Sequence, residues 1–278
     1  MLFNSYIFVL LFLPFVVSGY YFLHHFGWEK PALTFLITMS MIFYGYNSIS
    51  YLLILIVSIL LNYLIVKNMN STQQAFLRRL LLIFGLLLNF GILFCFKYYD
   101  FFIGNINSVF GTDFLLNNVL LPLGISFFTF QQVGFLVDAY RGEAKGYSFV
   151  DCSLFVTFFP QLIAGPIVTH NEMIPQFQDM DKKKFDWDNF GTGVYGFVLG
   201  MTKKVLVADT FALGVDWGFS NPEKLNGLAV LLVMLSYMIQ LYFDFSGYCD
   251  MARGIGKMFN IEIPINFNSP YKAVDLVD

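Results

Sequence analysis

The sequence predicts an all-α, polytopic helical membrane protein with about eight membrane segments, some of them broken or re-entrant. Three observations lead there. Of 278 residues, 57% are hydrophobic and 13% charged, whereas soluble domains run roughly 45–50% apolar and about 25% charged. Asp, Glu, Lys and Arg are also missing from long runs: residues 1–28, 31–66, 80–96, 114–137, 152–171 and 225–243. An apolar stretch of about 20 residues crosses a bilayer core. Finally, these runs lack the period-2 polarity of membrane β-strands.

Taken in order, the expected segments are 2–23, 31–46, 49–66, 80–96, 119–137, 149–165, 190–202 and 225–243. The first lacks a basic leader and an A-x-A-like cleavage site, and its apolar run continues past Ser18, so it reads as a retained span. The 36-residue run 31–66 is too long for one crossing, and Tyr44-Gly45-Tyr46-Asn47-Ser48 supplies turn formers beside interfacial aromatics. A helical hairpin follows. Segment 119–137 is interrupted by Pro122 and Gly124 and carries Ser126, Thr129, Gln131 and Gln132, while 149–165 is interrupted by Pro160, Gly165 and Pro166 and carries Gln161. Irregular backbone at membrane depth is tolerated only where protein or a wet cavity surrounds it, so both segments read as cavity-lining. Residues 248–278 lose apolar dominance and read as loop or interfacial chain. No repeat or linker divides the sequence, and 1–278 is expected to form a single membrane domain.

Orientation follows from basic residues in short loops. Lys67, Arg78 and Arg79, with no acid between them, place the 67–79 connection in the cytoplasm and, three spans back, the amino terminus outside. The same count puts 97–118 outside and 138–148 inside. Lys182-Lys183-Lys184 and Lys203-Lys204 both prefer the cytoplasm, which conflicts with a full crossing by 190–202. With a net charge of −3 spread over short clusters, nothing suggests a nucleic-acid surface. Cys95, Cys152 and Cys249 have neither disulfide nor zinc spacing and read as small apolar residues.

Chemistry concentrates in Tyr242-Phe243-Asp244-Phe245-Ser246-Gly247-Tyr248-Cys249-Asp250. An ionisable group abutting a membrane run marks function by default. On a continuing helix Asp244 and Tyr248 share a face, and Asp250 lies one turn from Arg253. Either this face positions a polar substrate, or Asp244 caps a following helix and Asp250 pairs locally with Arg253. His24 and His25 sit beside Trp28 at the end of a span and read as structural, whereas His170 lies nearer the interrupted segment. Lys203-Lys204 reads as snorkelling to the interface. There is no HExxH, P-loop or GxGxxG, and no metal site is expected.

Several blocks in order resemble the membrane-bound O-acyltransferase (MBOAT) family, and within it the bacterial alginate O-acetyltransferase-like branch. They are LPLGISFFTFQ at 121–131, VDAYRG at 137–142, FPQLIAGPI at 159–167, KKVLVAD at 203–209, FDFSGYCDMA at 243–252 and NFNSPY at 266–271. Cys249 and Arg253 depart from the Ser or Thr and the apolar residue usual there.

The resemblance implies a many-helix fold around a tunnel. Through it an acyl group passes from a cytoplasmic thioester, acetyl-CoA or an acyl carrier protein, to a hydroxyl on a cell-envelope or exported polysaccharide such as alginate. An extracytoplasmic esterase-like acetyltransferase is the implied partner, the bacterial cell membrane the location, and no bound cofactor is implied. The site wall is then Asp244, Ser246, Tyr248 and Asp250, with Gln161, Gly165 and Pro166 at the interrupted segment. Asp244 would orient or polarise, Ser246 and Tyr248 would hydrogen-bond, and the Gly and Pro would shape the backbone. The family's histidine motif follows the segment resembling 266–271, so its catalytic histidines are expected beyond Asp278, with this chain inactive alone. The alternative is a non-enzymatic transporter or assembly subunit, for which an inverted repeat in hydropathy would be the sign.

Overall fold

A computed structural model describes residues 1–46, 48–117, 120–144, 146–163, 165–166 and 168–273. All regular structure among them is helical: α1 (Leu13–His25, after a π turn Phe8–Phe12), α2 (Glu29–Gly45), α3 (Ile49–Ser71) and α4 (Ala75–Leu93). A π turn Phe94–Tyr98 joins α4 to α5 (Tyr99–Phe110); then come α6 (Ile125–Arg141), α7 (Phe149–Thr157), α8 (Phe159–Leu162) and α9 (His170–Gln178). Beyond these, α10 (Trp187–Thr202) runs through a π turn Lys203–Ala208 into α11 (Asp209–Ser220), and α12 (Gly227–Met258) is last. Among the described residues, four stretches are long and apolar enough to cross a membrane: Phe8–His25, Ile49–Ser71, Ala75–Phe110 and Gly227–Met258. These four fall short of the expected count of about eight.

Two compact units emerge, the first from residues 1–32, 164–167 and 176–278, the second from 33–163 and 168–175. In the second unit, the break in the 31–66 run falls where the sequence places it, with α2 ending at Gly45 and α3 beginning after an extended Ser48; Asn47 lies outside the described residues. Buried amides join α3, α4 and α6. Asn62 Nδ2 donates to Asn89 Oδ1 (3.2 Å) and Gln132 Oε1 (2.5 Å), and Asn89 Nδ2 returns a bond to Asn62 Oδ1 (2.7 Å). Such bonds hold membrane helices together where burial against lipid supplies no drive.

Several expected boundaries move. The helix expected at 119–137 begins only at Ile125, because Gly124 at φ 71° sets a left-handed turn before it. Pro122 and Gly124 therefore precede this helix rather than interrupt it. A Cβ on Gly124 would lie 2.7 Å from the Leu162 carbonyl oxygen, so α8 packs against bare backbone. Val119 and Ala164 lie outside the described residues. Segment 149–165 is broken as expected: α7 stops after nine residues and α8 has four, far short of about 30 Å at 1.5 Å per residue. Ser40 Oγ accepts from the freed Phe159 N–H at 3.2 Å, so the break is compensated inside protein. The 97–118 loop is instead helical to Phe110, because the π turn carries the helix past Lys97, and Asp100 accepts from the Asn117 N–H at 2.7 Å.

In the first unit, α10, its π turn and α11 form one helical rod, not a segment ending at 202. The rod packs antiparallel on α12, which continues to Met258 where a loop from 248 was expected. Glycines set this crossing. A Cβ on Gly200 would lie 2.6 Å from the Gly247 carbonyl oxygen, and one on Gly254 would lie 2.5 Å from Phe197 N. Bare backbones thus meet at the α10–α12 crossing, a contact larger residues forbid.

Candidate functional site

Asp244, Ser246 and Asp250 lie on α12 opposite the π turn Lys203–Ala208. Adjacent residues of a regular α-helix point about 100° apart; in this wider turn Lys203 and Lys204 both reach acids of α12. Lys203 Nζ lies 2.5 Å from Asp250 Oδ2 and 3.2 Å from Ser246 Oγ. Lys204 Nζ lies 2.9 Å from Asp244 Oδ1 and 2.8 Å from Asp209 Oδ1. Gly247 makes this approach possible, since its Cβ would sit 3.0 Å from Lys204 N. The result is a layer of two cations and three carboxylates across two helices.

This arrangement corrects two expectations. Asp244 caps no following helix, because α12 is unbroken through it. Lys203 and Lys204 do not run out to an interface: opposite charges on α12 hold them, and their side chains are about one-third exposed or less. The local Asp250–Arg253 pair exists only at 4.0 Å, long beside the Lys203 contact. Asp244 keeps a side chain that is 48% exposed, so it alone of the layer's α12 acids offers substantial open carboxylate. Ser246 is buried, and Tyr248 stacks on Phe3 with ring centroids 4.8 Å apart. Sequence spacing missed the lysines as partners, since 40 or more residues separate each from its acid on α12.

The other candidates lie elsewhere. Gln161 belongs to the second unit and is buried; its Nε2 donates to Phe155 O at 2.6 Å across the α7–α8 break. Gly165 and Pro166 are buried in irregular backbone of the first unit.

A second charged group lies in the second unit. His170, only 1% exposed, has Nε2 3.2 Å from Asp138 Oδ2, a charge-pair separation, and Nδ1 3.4 Å from the Tyr147 hydroxyl. Burial lowers its pKa below the ordinary imidazole value, while the Asp138 carboxylate and, more weakly, Glu143 pull it back up. These two contacts make His170 a tie between α6, α9 and the chain before α7. Among the described residues no three His, Cys, Asp or Glu side chains converge as a metal-binding group.

Comparison with known proteins places these features in a family. Residues 114–277, more than half of the chain, match MBOAT, the membrane-bound O-acyltransferase family. The whole chain is 41% identical to "Peptidoglycan O-acetyltransferase" of Helicobacter pylori, covering 58% of that protein, and 36% identical to "Probable alginate O-acetylase AlgI" of Pseudomonas aeruginosa, covering 53%. Some 58% of the chain is 29% identical to "Teichoic acid D-alanyltransferase" of Bacillus subtilis, covering 41% of it. The chain spans a little over half the length of the first two relatives. The charged layer and the α8 packing fall within the matched residues, and the chain belongs to the membrane-bound O-acyltransferase family.

Proposed function

We propose that this protein serves the O-acetylation of a cell-envelope polysaccharide, with peptidoglycan as acceptor. The 41% identity over the whole chain to a protein named for that reaction carries the proposal. An intermediate hydroxyl oxygen attacks the acetyl carbonyl carbon of a cytoplasmic thioester, acetyl-CoA or acetylated carrier protein; the C–S bond breaks, an ester forms, and the hydroxyl proton ends on the released thiol. An extracytoplasmic esterase-like acetyltransferase then passes the acetyl group from that ester to a polysaccharide hydroxyl, whose proton returns to the intermediate oxygen. By resemblance, the family's catalytic histidines belong to the region downstream of the segment like 266–271.

In this reading Asp244 orients or polarises a polar group at the tunnel wall, and Lys204 holds it in place. That an acid and a lysine meet between glycine-packed helices supports the role, because a charge at membrane depth persists only when paired or wet. Deleting the gene should remove base-releasable acetate from purified peptidoglycan, and reintroducing it should restore the signal. Asp244→Asn should restore about tenfold less, at equal membrane abundance. Unchanged acetate in the deletion strain would exclude peptidoglycan as the acceptor. Full restoration by Asp244→Asn would remove Asp244 from the site.

A further inference from the structure

Beside the charged layer, on the first unit, a half-open groove of about 230 Å³ runs between α10 and α12. Its floor is Gly196 and Gly254: a Cβ on Gly196 would stand 3.6 Å from Gly254 Cα, so the groove exists because these helices lack side chains there. Leu199, Tyr195 and Ile263 supply apolar wall, and Thr192 a hydroxyl. Arg253 and Lys257 supply the charge.

The guanidinium of Arg253 is held by its Nε donating to Ile263 O at 3.3 Å, while Nη1 stands 4.0 Å from Asp250, too long for a hydrogen bond. Its terminal donors are therefore left for the groove. Asp250 also lines the groove, but Lys203 already engages its other oxygen, and Glu262 engages Lys257 at 2.7 Å. The groove's own lining carries two cations, Arg253 and Lys257, and one carboxylate, Asp250; of the two cations, Lys257 is held by Glu262, and among the described residues Arg253 has no ion pair shorter than 4.0 Å. An arginine fork backed by an apolar wall fits a phosphate joined to an aliphatic body.

Two residues on α10 set the depth. Tyr195 is 66% and Trp187 77% exposed, and exposed Trp and Tyr beside basic residues mark the headgroup level of a membrane. We infer that this groove binds the phosphate of an anionic phospholipid, with Arg253 as its principal contact. The inference does not depend on acetyl transfer.

The chain, purified in a non-ionic detergent, is heated with short-chain phosphatidylglycerol, phosphatidylcholine or inorganic phosphate, and the unfolding midpoint is followed. Phosphatidylglycerol should raise the midpoint saturably and phosphatidylcholine should not. Arg253→Leu should need about tenfold more phosphatidylglycerol for half the effect, with Arg253→Lys, which keeps charge but loses the fork, in between. Arg79→Ala, which removes an exposed charge in the second unit, should respond like the parent. Should Arg253→Leu not fold, Arg253→Lys and Thr192→Ala carry the comparison. Equal responses of parent and Arg253 variants, or equal effects of the two lipids, would overturn the site. An Arg253-dependent shift with phosphate but none with phosphatidylglycerol would overturn the lipid as its source.

Discussion

Lys204 stands between two carboxylates, so its removal leaves Asp209 and Asp244 facing each other across a helix crossing. Because these groups are partly exposed, water softens the loss, and Lys204→Met should destabilise by about 1–2 kcal/mol rather than the 3–5 kcal/mol of a fully buried pair. A double-mutant cycle with Asp244→Asn, read by unfolding in detergent, should give a coupling of about 1 kcal/mol; independent effects would mean the contact contributes nothing. Asp244 was legible as unusual because it follows an apolar run, but its partner was not, since helical spacing reports only neighbours within one or two turns.

His170 makes a prediction in pH at the same scale. Its folded pKa is lowered mainly by burial, against the opposing pull of Asp138 and Glu143, while Tyr147 occupies the other ring nitrogen. The unfolded chain, near the ordinary value of about 6.5, then binds the proton more readily than the folded one. Stability from this group is complete above that value and lost as pH falls through the folded pKa. The unfolding midpoint should therefore drop on acidification below neutrality, and His170→Gln should flatten that dependence. Asp138→Asn removes the group that holds the pKa up, so it should enlarge the acid loss; a smaller one would contradict the assignment. The sequence singled out His170 by its place after the interrupted segment but gave no sign of its partners.

At the scale of elements, glycine decides how closely two helices approach. An added Cβ at Gly254 would lie 2.5 Å from Phe197 N, whereas one at Gly214 in α11 meets nothing within 4 Å. Gly254→Ala must push helix backbones apart and should destabilise by about 2 kcal/mol or more. Gly214→Ala, relieved of backbone entropy, should stabilise by about 0.5–1 kcal/mol. Equal effects of the two substitutions on unfolding would show that the crossing is not glycine-limited. Helix type and most positions were readable from apolar runs, as was the break at Pro160. The ends of the rod made by α10 and α11 were not: Lys203-Lys204 looks like a boundary in sequence, whereas acids from α12 pair with both lysines inside a continuing helix.

The fold class rests on bulk composition, which no local pairing can alter, and so it was the most legible property of the whole molecule. Topology is harder, because it depends on whether marginal segments cross. The test case is α2, whose 17 residues span about 26 Å, slightly under a 30 Å core, and whose first turn carries Glu29 and Lys30. If α2 crosses, α1, α2 and α3 make three crossings, and the amino terminus lies opposite the connection between α3 and α4. If it only dips, the two lie on the same side. The basic residues Lys67, Arg78 and Arg79 favour a cytoplasmic connection, and a break at Gly45 followed by an extended Ser48 lets α3 reverse direction. We therefore predict three crossings with the amino terminus outside. Single cysteines at Asn4 and Gln73, introduced after the exposed Cys95 is replaced by serine, separate the cases. A membrane-impermeant maleimide applied to intact cells should label position 4 and reach position 73 only after the membrane is opened. Labelling of both positions from the same side would make α2 re-entrant and shift every later segment by one crossing.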